Sequence, residues 1–127
     1  MDFSENKNIF LQIRDWLAYQ IMQDKILPGE KVPSVRELAV DLEVNRNTVM
    51  RSYSLMEEEG ILENKRGIGF FVAVSAKRSL LKIQKQAFFT QDLPELLHKV
   101  KVLQLNSEDL ALLIQSIKSN DHEIKHD

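Results

Sequence analysis

The chain has 127 residues, 43% of them hydrophobic and 28% charged, with no cysteine and a formal net charge of −2. This length, without an apolar run near eighteen residues or a signal sequence, points to one soluble cytoplasmic chain with an extension and excludes a membrane-spanning helix. The missing cysteines exclude disulfides and thiolate metal sites, and the slightly acidic balance argues against generic coating of nucleic acid.

In chain order, Phe10, Ile13, Leu17 and Ile21 form the inner stripe of an opening helix that ends before Pro28-Gly29, with Ile9 and Trp16 on a flanking face. Residues 30–32 are enough only for an edge strand, a third member for a later hairpin. Val35, Leu38, Ala39 and Leu42 then recur at i, i+3, i+4 and i+7, the single apolar stripe of a second helix. Ser34 and Glu37 flank its start as a capping box, and Pro33 stops any earlier helix. Asn45 is a natural N-cap for a third helix whose inward stripe is Val49, Tyr53 and Met56 and whose stop is Gly60. Stepping 100° per residue from Asn47 places Met50, Arg51 and Ser54 within about 60° of it, opposite that stripe. Donors and a cation therefore sit near the helix N-terminus, where base and phosphate contacts are made.

Beyond Gly60 the period changes. Ile61 and Leu62 open a strand, Lys65-Arg66-Gly67-Ile68-Gly69 form a turn with two cations at its tip, and Phe70 to Val74 return as a β-branched and aromatic strand. Two short helices, a tight turn and a basic hairpin are the layout of a winged helix-turn-helix, whose second motif helix enters the major groove. Alone, Lys65 and Arg66 read as a solvated hairpin tip. Beside a recognition helix the phosphate-binding reading is the one adopted.

The run LPGEKVPSVRELAVDLEVNRNTVMRSYSLMEEEGILENKRGIGFFV, starting at Leu27, resembles the DNA-binding domain of the GntR family of bacterial transcription regulators, and the resemblance covers Ile9 to about Val74. Its leading PGEKVPSVRELA joins a turn, a short strand and a capped helix in fixed spacing. The resemblance implies that Ser34 and Arg36 face phosphate, that Arg46, Asn47 and Thr48 open the recognition helix, and that Arg66 with Gly67 forms a wing tip entering the minor groove. Two positions depart from the pattern. Many relatives carry Arg where this chain has Met50, and here the arginine stands one residue later, at Arg51, so the half-site sequence does not carry over. Glu43 occupies a turn position where relatives often have Gly, a strain of about 1–2 kcal/mol if the residue is left-handed.

After Val74 the composition shifts. Leu80, Leu81, Ile83, Ala87, Phe88 and Phe89 crowd one segment and Leu93, Leu96, Leu97, Val100 and Leu103 another, with Asp92 and Pro94 marking a break between them. A third stripe, Leu110, Leu113, Ile114 and Ile117, follows an N-cap at Asn106 with Asp109 three residues on. About fifty residues in short helices do not readily close a core, and apolar surface of that extent marks an interface. The economical partner is a second copy, because two-fold dimers are the commonest oligomers and a palindrome needs two-fold symmetry. The alternative is a tail folded back on the winged domain. A short helical tail also resembles the YtrA-like subfamily, whose members are often repressors of transporter operons.

Charge is distributed to match. Residues 31–78 hold eight Lys plus Arg against seven Asp plus Glu, while the flanking regions are net acidic, and Glu57, Glu58 and Glu59 lie late in the recognition helix. Enzyme readings fare poorly. Of the histidines His98, His122 and His126, the last two have the spacing of a metal pair, without a third ligand nearby. No Ser, His and Asp constellation is present, and Gly67-Ile68-Gly69 lacks the Lys-Ser/Thr of a phosphate loop.

The expected architecture is mainly α with a small β-sheet, a winged helix-turn-helix in residues 1–75 and a helical dimerisation tail in residues 76–127. The expected partners are double-stranded DNA and a second copy of the chain, with no cofactor, metal or membrane, and a small-molecule effector is neither supplied nor excluded. The DNA-binding set is Lys31, Ser34, Arg36, Arg46, Asn47, Thr48, Arg51, Lys65, Arg66 and Gly67. The function read is a sequence-specific repressor on a palindromic operator. Its competitors are a winged protein-interaction module, for which only Met50 speaks, and an architectural DNA binder without a defined operator.

Overall fold

The computed structural model describes residues 8–124. Along them run α1 (Ile9–Met22), α2 (Val35–Leu42), α3 (Arg46–Glu58), β1 (Leu62–Lys65), β2 (Gly69–Val72), α4 (Ala76–Ala87), α5 (Leu93–Val102) and α6 (Ala111–Ile124), with a π-helical turn at Phe88–Asp92. The fold is mainly α with one two-stranded antiparallel sheet, as the sequence implies. None of the helices of the described residues is long and apolar enough to cross a membrane. The chain forms two compact units that divide after Gln84.

In the first unit, α1 buries Ile13, Leu17, Ala18 and Ile21 on one face, and Asp24 in a left-handed conformation ends the chain's helical path well before Pro28. Ile9 and Trp16 pack at the edge of the core, on the flanking face expected of them. Phe10 departs from expectation. It is half-buried rather than part of the inner stripe, because its ring packs against the Arg51 guanidinium of α3 instead of the core. The α2 start is as read: the Ser34 hydroxyl accepts from the Glu37 N–H, and the Ser34 N–H donates to the Glu37 carboxylate. Glu43 is indeed left-handed, φ 55°, and holds the tight turn despite the strain, because the following Val44 N–H closes onto the Ala39 carbonyl. Asn45 then caps α3 by accepting from the Asn47 N–H at 2.8 Å.

The α3 helix buries Val49, Tyr53 and Met56, and also Ser52, a polar residue outside the expected stripe. Arg14 of α1 donates to the Glu59 carboxylate at 2.6 Å, so that acid serves the packing of the α3 end against α1. Tyr53 lies edge-to-face on Phe70 of the wing and donates its hydroxyl proton to the Pro33 carbonyl at 2.7 Å. Burial pushes this phenol well above the usual range, and the Glu37 carboxylate pushes it further. The folded chain therefore keeps a proton that the unfolded chain releases near pH ~10. The associated stability is present below that pH and is lost as pH rises above it. Tyr53→Phe is expected to cost about 1 kcal/mol at neutral pH and to flatten the alkaline fall in melting temperature. An equally steep fall in both proteins would assign it to other groups.

The hairpin pairs Leu62 with Val72, Glu63 with Phe71, Asn64 with Phe70 and Lys65 with Gly69. Its return strand stops at Val72 rather than Val74, which is 85% exposed and has left the sheet. The expected third strand is a single bridge, Lys31 to Phe71, with the Val32 N–H on the Phe70 carbonyl and the Val72 N–H on the Glu30 carbonyl. Pro33 has no N–H to extend the ladder, and the turn at Gly29 precedes it. Ala76 and Leu80 of α4 are buried in this same core, with Ile83 packed on it, so the first turns of α4 belong to the first unit.

In the second unit the break expected at Asp92 and Pro94 is instead the π turn. Leu93 N–H reaches back five residues to the Phe88 carbonyl, just ahead of a proline that would clash in a regular helix, and the Thr90 hydroxyl donates to the Gln86 carbonyl. The capping box at Asn106 and Asp109 forms with two bonds of 2.9 Å. It closes a turn, however, and regular helix begins only at Ala111, whose N–H reaches back three residues to the Glu108 carbonyl rather than four. Every described residue beyond Leu80 is at least partly exposed, including Phe89, Leu97, Leu103 and Ile117. Val100, Leu105, Leu110, Leu113, Ile114 and Ile117 line an open groove of about 400 Å³ within this unit.

Candidate nucleic-acid interface

The division of α3 into two faces organises the site. With Val49, Tyr53 and Met56 fully buried, the helix presents Arg46, Asn47, Arg51 and Ser54 to solvent, Met50 is 45% exposed among them, and Thr48 is half-buried. The capped N-terminus carries the positive end of the helix dipole, which favours an anion there. Arg51 lies over the Phe10 ring, its Cζ 3.9 Å from the centroid. Arg36 is exposed on the first turn of α2. Ser34 is half-buried and engaged with Glu37 in the capping box through both its hydroxyl and its backbone N–H. The Ser34 hydroxyl and then its backbone N–H hold the Glu37 carboxyl below its usual range, with Lys31 adding attraction.

The register of the wing gathers a second group. Lys65, Glu63, Gly69 and Phe71 share one face of the hairpin, and the bridge to Phe71 puts Lys31 on that face too. The Lys65 ammonium sits 4.4 Å from the Phe71 ring centroid. Lys31 lies across Gly69, where a Cβ would come within 2.8 Å of the lysine Cε. Both wing glycines have positive φ, Gly69 at 139° and Gly67 at 79°, so each sits where a side chain would strain the backbone; Gly67 does so in open space beside exposed Arg66.

The sequence reading gave Phe10, Phe71 and Gly69 structural places but no part in the interface. The period of two along β2 places Phe70 inward and Phe71 outward, a signal that was available. His126 lies outside the described residues, and among those described no group of three His, Cys, Asp or Glu is placed to hold a metal.

A recognition helix capped at its start, donors on its outer face and a glycine-turned basic hairpin define a winged helix-turn-helix DNA-binding regulator. Residues 10–72 match the family described as bacterial regulatory proteins, gntR family. The chain is 39% identical over 108 residues to an uncharacterised HTH-type transcriptional regulator, YhcF of Bacillus subtilis, covering 85% of this chain and 88% of the relative. It is 32% identical over 112 residues to the HTH-type transcriptional repressor YtrA of the same organism, covering 88% and 85%. Among solved structures, a GntR family transcriptional regulator from Listeria monocytogenes superposes with a TM-score of 0.72 at 29% identity, over 90% of this chain and 98% of that one. The chain belongs to the GntR family of transcription regulators, which is not a family of enzymes. Its similarity to YtrA includes the tail, as the YtrA-like resemblance implied.

Proposed function

We propose that the chain is a cytoplasmic repressor that binds a palindromic operator as a homodimer. The observation that carries this reading is the outward face of α3, where Arg46, Asn47 and Arg51 are exposed while the opposite stripe is fully buried. Arg46, Asn47 and Arg51 read base edges, while Ser34, Arg36 and Thr48 hold phosphate. Lys31 and Lys65 approach the backbone from the wing face, and Arg66 with Gly67 enters the minor groove. Repression is taken from the likeness to YtrA, whose name states it. The DNA-reading part is residues 1–75, and residues 76–127 form a dimerisation tail rooted in the winged core by Ala76 and Leu80.

Selection from random-sequence duplexes supplies the test. A regulator should enrich one inverted repeat and protect it as a discrete footprint, and enrichment of no sequence would leave an architectural DNA binder. Lys65→Ala or Arg66→Ala should each shallow the log–log dependence of affinity on salt by about 1. An unchanged slope in a folded variant would make the wing tip merely solvated.

A further inference from the structure

We propose that Phe10 is a positioning residue for DNA recognition: its ring holds the Arg51 guanidinium in the plane and direction in which it meets a base edge. The inference rests on the reading of α3 as the recognition helix and adds to it a residue from α1, outside the helix-turn-helix motif.

An exposed arginine normally samples many rotamers and loses that freedom on binding, which weakens the complex. Arg51 is exposed, yet its Cζ lies over the Phe10 ring, 3.9 Å from the centroid, within the range of a close cation–π contact. Stacking uses the face of the guanidinium and leaves its five N–H donors in the plane. Those donors make the bidentate contacts through which arginine reads guanine. No carboxylate among the described residues forms an ion pair with Arg51, in contrast to Arg14, which Asp15 and Glu59 both engage.

The backbone that carries the ring is tied to the helix it serves. Ser52, fully buried and adjacent to Arg51 in sequence, donates its hydroxyl to the Phe10 carbonyl at 2.5 Å. A buried serine in the middle of an otherwise apolar stripe thereby locks the first turn of α1 to α3 at the residue that supports the arginine. Shallow open grooves flank the stacked pair. One is lined by Asn8, Ile9 and Thr48, the other by Ser54, Leu55 and Glu58, so the guanidinium stands on a ridge with room on both sides.

The test is a double-mutant cycle on the intact chain, with the duplex selected by the wild-type protein and its scrambled counterpart as probes. Phe10→Leu should lower affinity for the selected duplex about 2- to 10-fold, the range for one stacked and pre-ordered side chain, and leave the salt slope unchanged. Phe10→Tyr, which keeps the ring, should restore it. In an Arg51→Ala background Phe10→Leu should add nothing. Equal losses in the two backgrounds would show a general structural effect and overturn the proposal, as would a Tyr variant no better than Leu. If Arg51→Ala weakens binding and Phe10→Leu does not, the positioning role fails while the recognition reading stands. If Arg51→Ala binds as the wild type, both fail. NMR relaxation of the Arg51 Nε–H in the free wild-type protein needs no variant to fold. It should be more ordered than that of exposed Arg36, and equal mobility of the two overturns the proposal.

Discussion

A chain ending at Gln84 is expected to fold, to sediment as a monomer and to bind the selected duplex about 10²- to 10⁴-fold more weakly than the full chain, the loss that follows when two linked half-site contacts become one. The cut falls where the first compact unit ends, so it keeps Ala76, Leu80 and Ile83 in the winged core. A cut at residue 75 would instead remove fully buried Ala76 and Leu80, which is 2% exposed, and confound lost dimerisation with lost stability. What the cut removes is the unit in which no described residue is buried and in which Phe89, Leu97, Leu103 and Ile117 are all more than half exposed. Apolar surface of that kind on so short a segment needs a partner. In the proposed dimer the half-sites should be centred about 10 bp apart, or a small multiple of it, so that two recognition helices face successive major grooves. Sedimentation of the full chain is the control. If it is monomeric well above its DNA dissociation constant, or if the shortened chain keeps full affinity, the dimer reading is wrong.

Features set by local, fixed-offset chemistry were legible in the sequence. The Ser34–Glu37 box, the Asn45 cap and the Val49, Tyr53 and Met56 stripe depend on neighbours within one or two turns, and each is found in the structure where the sequence puts it. What escaped depends on packing between segments distant in the chain. Phe10 fits the period of the α1 stripe, yet at the helix start it meets Arg51 of α3 rather than the core. Ser52 looks like a break in an apolar stripe until the Phe10 carbonyl is brought to it. Pro94 suggests an end to helix, but a π turn absorbs it by moving one hydrogen bond to a five-residue span. The edge strand at residues 30–32 has the right composition and only one bridge, because Pro33 ends the donors. The site was legible to a similar degree. Cations and donors on α2, α3 and the wing follow from the pattern, whereas the aromatic and glycine supports beneath Arg51, Lys65 and Lys31 emerge only when the strands and helices are assembled.

The second large effect is expected at the recognition helix itself. Arg46→Ala and Arg51→Ala should each cost about 1–3 kcal/mol on the selected duplex, roughly 5- to 150-fold, if each makes a bidentate contact to a base edge. Both are exposed, on a helix whose other face is fully buried, so truncation to alanine removes donors without opening the core. The two should differ in character. Arg46 is the first residue of α3, at the positive end of the helix, where phosphate is also within the reach of such a side chain. Arg51 lies more than one turn further on, beside Met50, the position where many relatives carry an arginine, and its guanidinium lies over the Phe10 ring. Arg51→Ala is therefore expected to weaken the selected duplex more than the scrambled one and to relax preference at one base pair of each half-site. Exchanging the pair, Met50→Arg with Arg51→Met, should change the sequence selected rather than abolish binding, because it turns the cation about 100° around the helix. Titration of each variant against selected and scrambled duplexes decides the matter: equal loss on both would make that arginine a phosphate contact, and an unchanged selected sequence after the exchange would remove Arg51 from base reading.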